Sequence, residues 1–141
     1  MEQIFTAIRK RVEEEPFARK LGLNLIEVRS GYALVRMTFT QEIENIFGMA
    51  HGGALYSLID EAFEIASNSH GTIAVALGVN VQYIQAPLPG AVLYAEAKEV
   101  NRSARIGHYD ITVKNEQNNL IATCKAMAYR KKEPLPFLHD C

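Results

Sequence analysis

Gly52 and Gly53 follow His51 and open a strongly apolar helical pattern in which Asp60 stands eight positions after Gly52. The first N–H groups of a helix have no partner inside the helix. Two residues without side chains let an outside group approach those donors closely. Glycine is also acceptable at a helix start for purely structural reasons, although Ser, Thr, Asp or Asn would cap better. A carbonyl oxygen held at these donors would lie about two turns from Asp60, so an oxyanion donor and a carboxylate share one element. That pairing suits hydrolysis of an activated acyl group. The N–H donors meet the developing oxyanion, and the carboxylate activates water or attacks directly.

The helix carrying these groups is predicted over residues 53–69, ending at "NSHG" with Gly71 placed for a left-handed cap. At 100° per residue, Ala54, Leu55, Leu58, Ile59, Ala62, Phe63, Ile65 and Ala66 fall on one half of the wheel, which packs on a sheet. Ser57, Asp60, Glu61 and Glu64 fall on the other, with Tyr56 at the border. Such a stripe is ordinarily a solvated face. Here it has no Lys or Arg at i+4 to balance it, so Asp60 and Glu64 repel each other one turn apart and the stripe needs another justification.

Around this helix the chain reads as strands. Ile4, Phe5, Ile8 and Val12 recur at helical spacing before Pro16, and this N-terminal segment, residues 1–20, reads as a surface lid. "LNLIEVRS", Gly31 and "YALVRMTFT" read as two strands around a tight turn, and "TQEIENIFGM" as a loop. "TIAVALGVNVQYIQ", "AVLYAEAKEV", "IGHYDITVKN" and "LIATCKAMAYRKK" follow with short turns between them, which predicts an antiparallel meander. The tail, residues 131–141, reads as loosely held. The fold class is α+β, in one domain spanning residues 1–141, with the central helix covering the apolar face of the sheet.

Composition excludes other classes. At 141 residues and 48% hydrophobic, the chain can bury one substantial core. A net charge of -1 gives no electrostatic basis for nucleic-acid binding. The charged start "MEQIFTAIRKRVEEE" is no signal peptide and no run approaches a membrane span, so a cytoplasmic protein without membrane contact is expected. Cys124 reads as a small core residue, and with Cys141 it makes neither a disulfide framework nor a metal pattern. His51, His70, His108 and His139 lack zinc-motif spacing, so no metal is expected.

Asn45, "HGG" at 51–53, "SLID" ending at Asp60 and "AFEIASNSHG" running to Gly71 resemble the signature of the hotdog-fold acyl-CoA thioesterases, in particular the phenylacetic acid degradation thioesterase group. The likeness continues through "VNVQYIQAPLPG" and "RIGHYDI", covering about residues 17–130. It implies a hotdog fold, a long central helix wrapped by an antiparallel sheet of about six strands. It implies subunits that pair their sheets side by side, homodimers that associate into a homotetramer, and an active site between subunits. The acidic stripe would then face a partner subunit. The implied activity is hydrolysis of acyl-CoA thioesters, with aryl-acetyl-CoA as a candidate substrate and no cofactor, CoA being part of the substrate.

Carried over by position, the resemblance makes Asp60 the general base or nucleophile, gives the thioester carbonyl to the Gly52 N–H, and sets Asn45 beside them to position water or the carbonyl. In that family His51 is more often a supporting residue than the proton-transfer group, and Gly53 belongs to the same helix start; Tyr56, Phe63 and Tyr83 are candidates for an aromatic pocket or for core. Arg105, Ile106 and Gly107 match a strand start along the CoA entrance, where Arg102 and Arg105 would meet phosphates. Read without the family, "NRSAR" is a polar hairpin turn.

Two departures stand out. Glu61 occupies a position where relatives usually carry a small or neutral residue, which would either point it away from the site or favour a polar or cationic acyl end. "AVALGV" supplies no hydroxyl to hold water, leaving Asn80 or Asn45 as substitutes. A non-catalytic acyl-CoA binding or sensing module is the alternative, since fold does not fix function.

Overall fold

The structure, a computed structural model, describes residues 1–139. Helix α1 (Glu2–Glu14) and helix α2 (Pro16–Leu21) are separated by Glu15, whose extended backbone precedes a proline that can begin a helix but not continue one. Gly22, in the left-handed region, ends α2. Strands β1 (Asn24–Arg29) and β2 (Tyr32–Thr38) form the expected hairpin. A 3-10 turn at Gln41–Ile43 and a loop lead into helix α3 (Gly52–Asn68), and strands β3 (Thr72–Tyr83), β4 (Val92–Arg102), β5 (Ile106–Asn115) and β6 (Leu120–Pro134) follow.

The six strands make one antiparallel sheet in the order β1-β2-β4-β5-β6-β3. The meander is therefore β4-β5-β6 alone. β3 pairs with β6, because β4 already has β2 on one edge and β5 on the other, and the connection at residues 84–91 contains Pro87 and Pro89 and makes no tight hairpin. β3 is thus left as a twelve-residue edge.

Helix α3 packs across one face of the sheet. Its eight predicted core residues are all buried, and Leu58, Ile59 and Ala62 meet inward residues such as Val35, Ala95, Ile111 and Ala128 in one cluster. This arrangement is the hotdog fold, with α3 as its central helix. The N-terminal segment is no lid: α1 buries Ala7, Ile8 and Val12, α2 buries Ala18, and the Ile4 side chain sits 2.8 Å from where a Cβ on Gly71 would stand. With φ at +93°, Gly71 is needed at that bend for its backbone as well as for the space. The tail is also better held than expected. β6 continues to Pro134, Leu135 is buried with its N–H bonded to Gly71 O, and Phe137 and Leu138 pack on the core. Cys141 lies outside the described residues. Cys124 is a free, buried core thiol, and burial pushes it up to about 11. No helix among the described residues is long and apolar enough to cross a membrane.

Candidate active site

The start of α3 is organised by the residues before it. His51 is the N-cap, with extended backbone, and its Nδ1 accepts the Gly53 N–H at 2.9 Å. Ala54 and Leu55 donate to His51 O. The Gly52 N–H has no acceptor among the described residues. An N-cap that satisfies one donor and leaves its neighbour free converts a helix start into a single directed donor. The Tyr83 hydroxyl donates to Gly52 O at 3.1 Å, which ties the helix start to the end of edge strand β3.

Asn45 shapes the loop just ahead. Its Oδ1 accepts the N–H groups of Phe47 and Met49 at 2.9 and 3.1 Å, while its own N–H donates to Met49 O. This tight turn, joined to Ala50 by the Glu44 bridge, turns Ile46 and Phe47 outward at 92% and 76% exposure. The Asn45 Oδ1 is thereby occupied, and its amide Nδ2 is the end still available to another group.

Asp60 and Tyr56 sit one turn apart on the open strip of α3. Desolvation raises the Asp60 carboxyl above the ordinary aspartate value, and the nearby Glu15 charge adds to it. Desolvation and the Asp60 charge likewise raise the Tyr56 phenol, which also feels Cys124 and Tyr83. Tyr56 thus lies within electrostatic range of Cys124 on β6 and Tyr83 on β3, and Asp60 within range of Glu15 at the α1–α2 joint. The rise of an α-helix puts Asp60 about 12 Å along the axis from Gly52. That is too far for a group at Asp60 to attack directly a carbonyl held at the Gly52 N–H of the same chain.

Other predicted positions are not brought to this place. Phe63 is 2% exposed and makes an edge-on contact with Tyr109 at 5.5 Å between ring centres, so it is core and lines no pocket. Glu61 is not on the open strip: it is 4% exposed, because the joint between α1 and α2 covers that flank of the helix. Asn80 pairs with Lys125 in register and its side chain bonds Gln82 on the outer face of the sheet, opposite α3. It cannot hold water for Asp60 of the same chain. Arg102 and Arg105 flank the β4–β5 hairpin, where Ser103 bonds back to Ile106. Arg102 lines a cavity of about 590 Å³ with His70 and Arg130 at the C-terminal end of α3, the end opposite Gly52. Gly107 leaves room for the Tyr109 ring, whose nearest atom lies 2.9 Å from where a Cβ would stand.

The fold is that of a thioester-hydrolysing class. The chain belongs to the thioesterase superfamily, whose family model matches residues 47–122, from the exposed loop through the edge strand to β6. It is 34% identical to the acyl-coenzyme A thioesterase PaaI of Escherichia coli K12 over 84% of each chain. The solved structure of the E. coli PaaI protein from the phenylacetic acid degradation operon superimposes with a TM-score of 0.90, covering 94% of this chain and 96% of that one at 30% identity. A mutant structure of the phenylacetic acid degradation protein PaaI of Thermus thermophilus matches at a TM-score of 0.80 and 37% identity, over 83% of this chain and all of that one. A protein of Archaeoglobus fulgidus is 43% identical over 82% of this chain and 75% of its own length.

Sequence reasoning did not assign two contributors. Tyr83, read from the sequence only as an aromatic for a pocket or for core, grips Gly52 from 31 residues away. Glu15 sits in "VEEEPF", a charged run that looks solvated in sequence, and only the packing of the α1–α2 joint on α3 brings it to Glu61 and Glu64.

Proposed function

We propose that this chain hydrolyses acyl-CoA thioesters to a free acid and CoA, with the Gly52 N–H polarising the thioester carbonyl and Asp60 acting as general base or nucleophile. The observation that carries the reading is the Gly52 N–H itself, left without an acceptor beside a neighbour that His51 satisfies. The Asn45 Nδ2 is the further donor at that end, toward the carbonyl or the attacking water. The E. coli relative's activity supports the acyl-CoA class.

The working site combines two chains. The β3 edge exposes Val75, Leu77 and Tyr83, and such an edge is a template for pairing with another copy. A two-fold pairing there sets the α3 helices antiparallel. Asp60 of one chain then approaches the Gly52 N–H of the other, and the Arg102–Arg105 hairpin lies toward the same end to meet CoA phosphates. In light scattering the protein should be at least a dimer, with a tetramer the expected full assembly; a stable, active monomer would sink the two-chain site.

The activity is tested with a panel of acyl-CoA thioesters that includes aryl-acetyl-CoA, following release of free thiol. Turnover on at least one member is expected, and it should be lost in Asp60→Asn. Tight acyl-CoA binding with no thiol release across the panel would overturn the enzyme in favour of a binding or sensing module.

A further inference from the structure

Glu61 and Glu64 project from neighbouring turns of α3, and Glu15 meets them from the joint between α1 and α2. One carboxylate oxygen from each lies within 4.8 Å of the others. Glu15 occupies the N-cap position of α2, yet its side chain makes no capping hydrogen bond there. Glu61 is 4% exposed, and its Oε2 is buried without a hydrogen-bond partner. A buried carboxylate oxygen without a donor is costly, and the side chains at hydrogen-bonding range of Glu61, Glu15 and Glu64, are carboxylates that donate only if protonated. Arg11 lines the adjoining cavity of about 460 Å³ with Glu15 and Glu64, but its guanidinium is directed to Glu14 at 3.9 Å. Asp60, the residue before Glu61 on α3, adds further negative charge.

We propose that Glu15, Glu61 and Glu64 bind a hard divalent cation that fastens the α1–α2 joint to the central helix. The oxygens fit such an ion. At metal–oxygen distances of about 2.1 to 2.5 Å, ligands on one ion stand no more than about 5 Å apart, and this set lies inside that limit. All three donors are carboxylate oxygens with no thiolate or imidazole among them, which suits Mg²⁺, Mn²⁺ or Ca²⁺ and not zinc. The histidines, whose spacing argued against a metal, take no part. Glu61 closes the inner side, while exposed Glu64 and half-buried Glu15 leave an outer side for entry and for the water ligands that three protein oxygens do not supply. The acidic stripe of α3 is thereby divided by burial and contact: Asp60 stays exposed, within range of the Glu15 charge, while Glu61 and Glu64 meet the helical joint directly.

The test uses the full chain stripped with chelator and titrated with Mn²⁺, following loss of the free-ion signal by electron paramagnetic resonance, with the Tm read in parallel in Ca²⁺. One Mn²⁺ per chain and a Tm that rises with Ca²⁺ are expected. Glu64→Gln, at an exposed position that leaves the core intact, should weaken Mn²⁺ binding on the order of tenfold or more and reduce the Tm response, and Glu15→Gln should do the same. Absence of Mn²⁺ binding at millimolar concentration would overturn the proposal. It would mean that the cluster is neutralised by shared protons. Binding that survives both substitutions unchanged would overturn it too, by placing the ion elsewhere.

Discussion

Asp60→Asn should lower kcat by about 10²- to 10⁴-fold and leave acyl-CoA binding largely intact. The amide keeps the shape of the side chain beside Tyr56 and removes its basicity. In the wild type, desolvation first and the Glu15 charge second raise the Asp60 carboxyl above the ordinary aspartate value, although in the single chain it still reaches solvent. A partner helix laid over it would deepen the desolvation and push in the same direction. If Asp60 is the base it must be ionised to act, so kcat/KM should rise as pH increases through the Asp60 value and fall on acidification, with a midpoint above that of a free aspartate. The Asp60→Asn variant should lose this acidic limb along with the rate. Loss of binding together with rate would instead make Asp60 a group that holds the site together. Near-normal kcat in Asp60→Asn with inactivity in Glu61→Gln would place the catalytic carboxylate one residue later, against the burial of Glu61 away from the open strip.

The core stripe of α3 was legible in the sequence because an amphipathic helix on a sheet obeys a period that one chain segment carries by itself. The β1–β2 hairpin and the β4-β5-β6 run were legible for the same reason, each being local. Where readings failed, the deciding contact lay far along the chain. β3 leaves β4 for β6, 46 residues of chain separate Glu15 from Glu61, and the wheel that puts Glu61 on the polar half has no knowledge of a second helical joint lying over that flank. Phe63 is a related case: an aromatic beside the acidic stripe is pocket or core according to whether another ring stands behind it, and Tyr109 does. The helix start at His51 was visible as a local motif, but the division of labour between the Gly52 and Gly53 donors depends on which one the His51 ring occupies. That is a rotamer, set by the fold.

Gly52→Pro should reduce kcat by roughly 10²- to 10³-fold, the usual size for losing one donor to a developing oxyanion, in a protein that still folds. The backbone is already suited to the change. Gly52 is the first residue of α3, where proline is well accepted because the missing N–H has no helical partner, and its own φ is not in the left-handed region. The residue before a proline must be extended, and His51 is, with φ −66° and ψ 131°. A Cβ at this position meets the Tyr83 ring at 3.6 Å, an ordinary contact. Gly52→Ala keeps the donor and adds the same Cβ, so it should lose less than about tenfold and separates steric from electronic effects. Mixing then decides where Asp60 acts. Each variant alone should keep no more than about a hundredth of the activity, but if Asp60 of one chain serves the Gly52 N–H of its partner, a dimer of one Asp60→Asn chain and one Gly52→Pro chain contains one intact site. Random exchange of equal amounts would make half the dimers mixed, each with one of two sites whole, so about a quarter of wild-type activity returns. If both groups act within one chain, every site in the mixture lacks one of them and no activity returns. Recovery on mixing would therefore tie the gap of about 12 Å within one chain to an assembly that closes it.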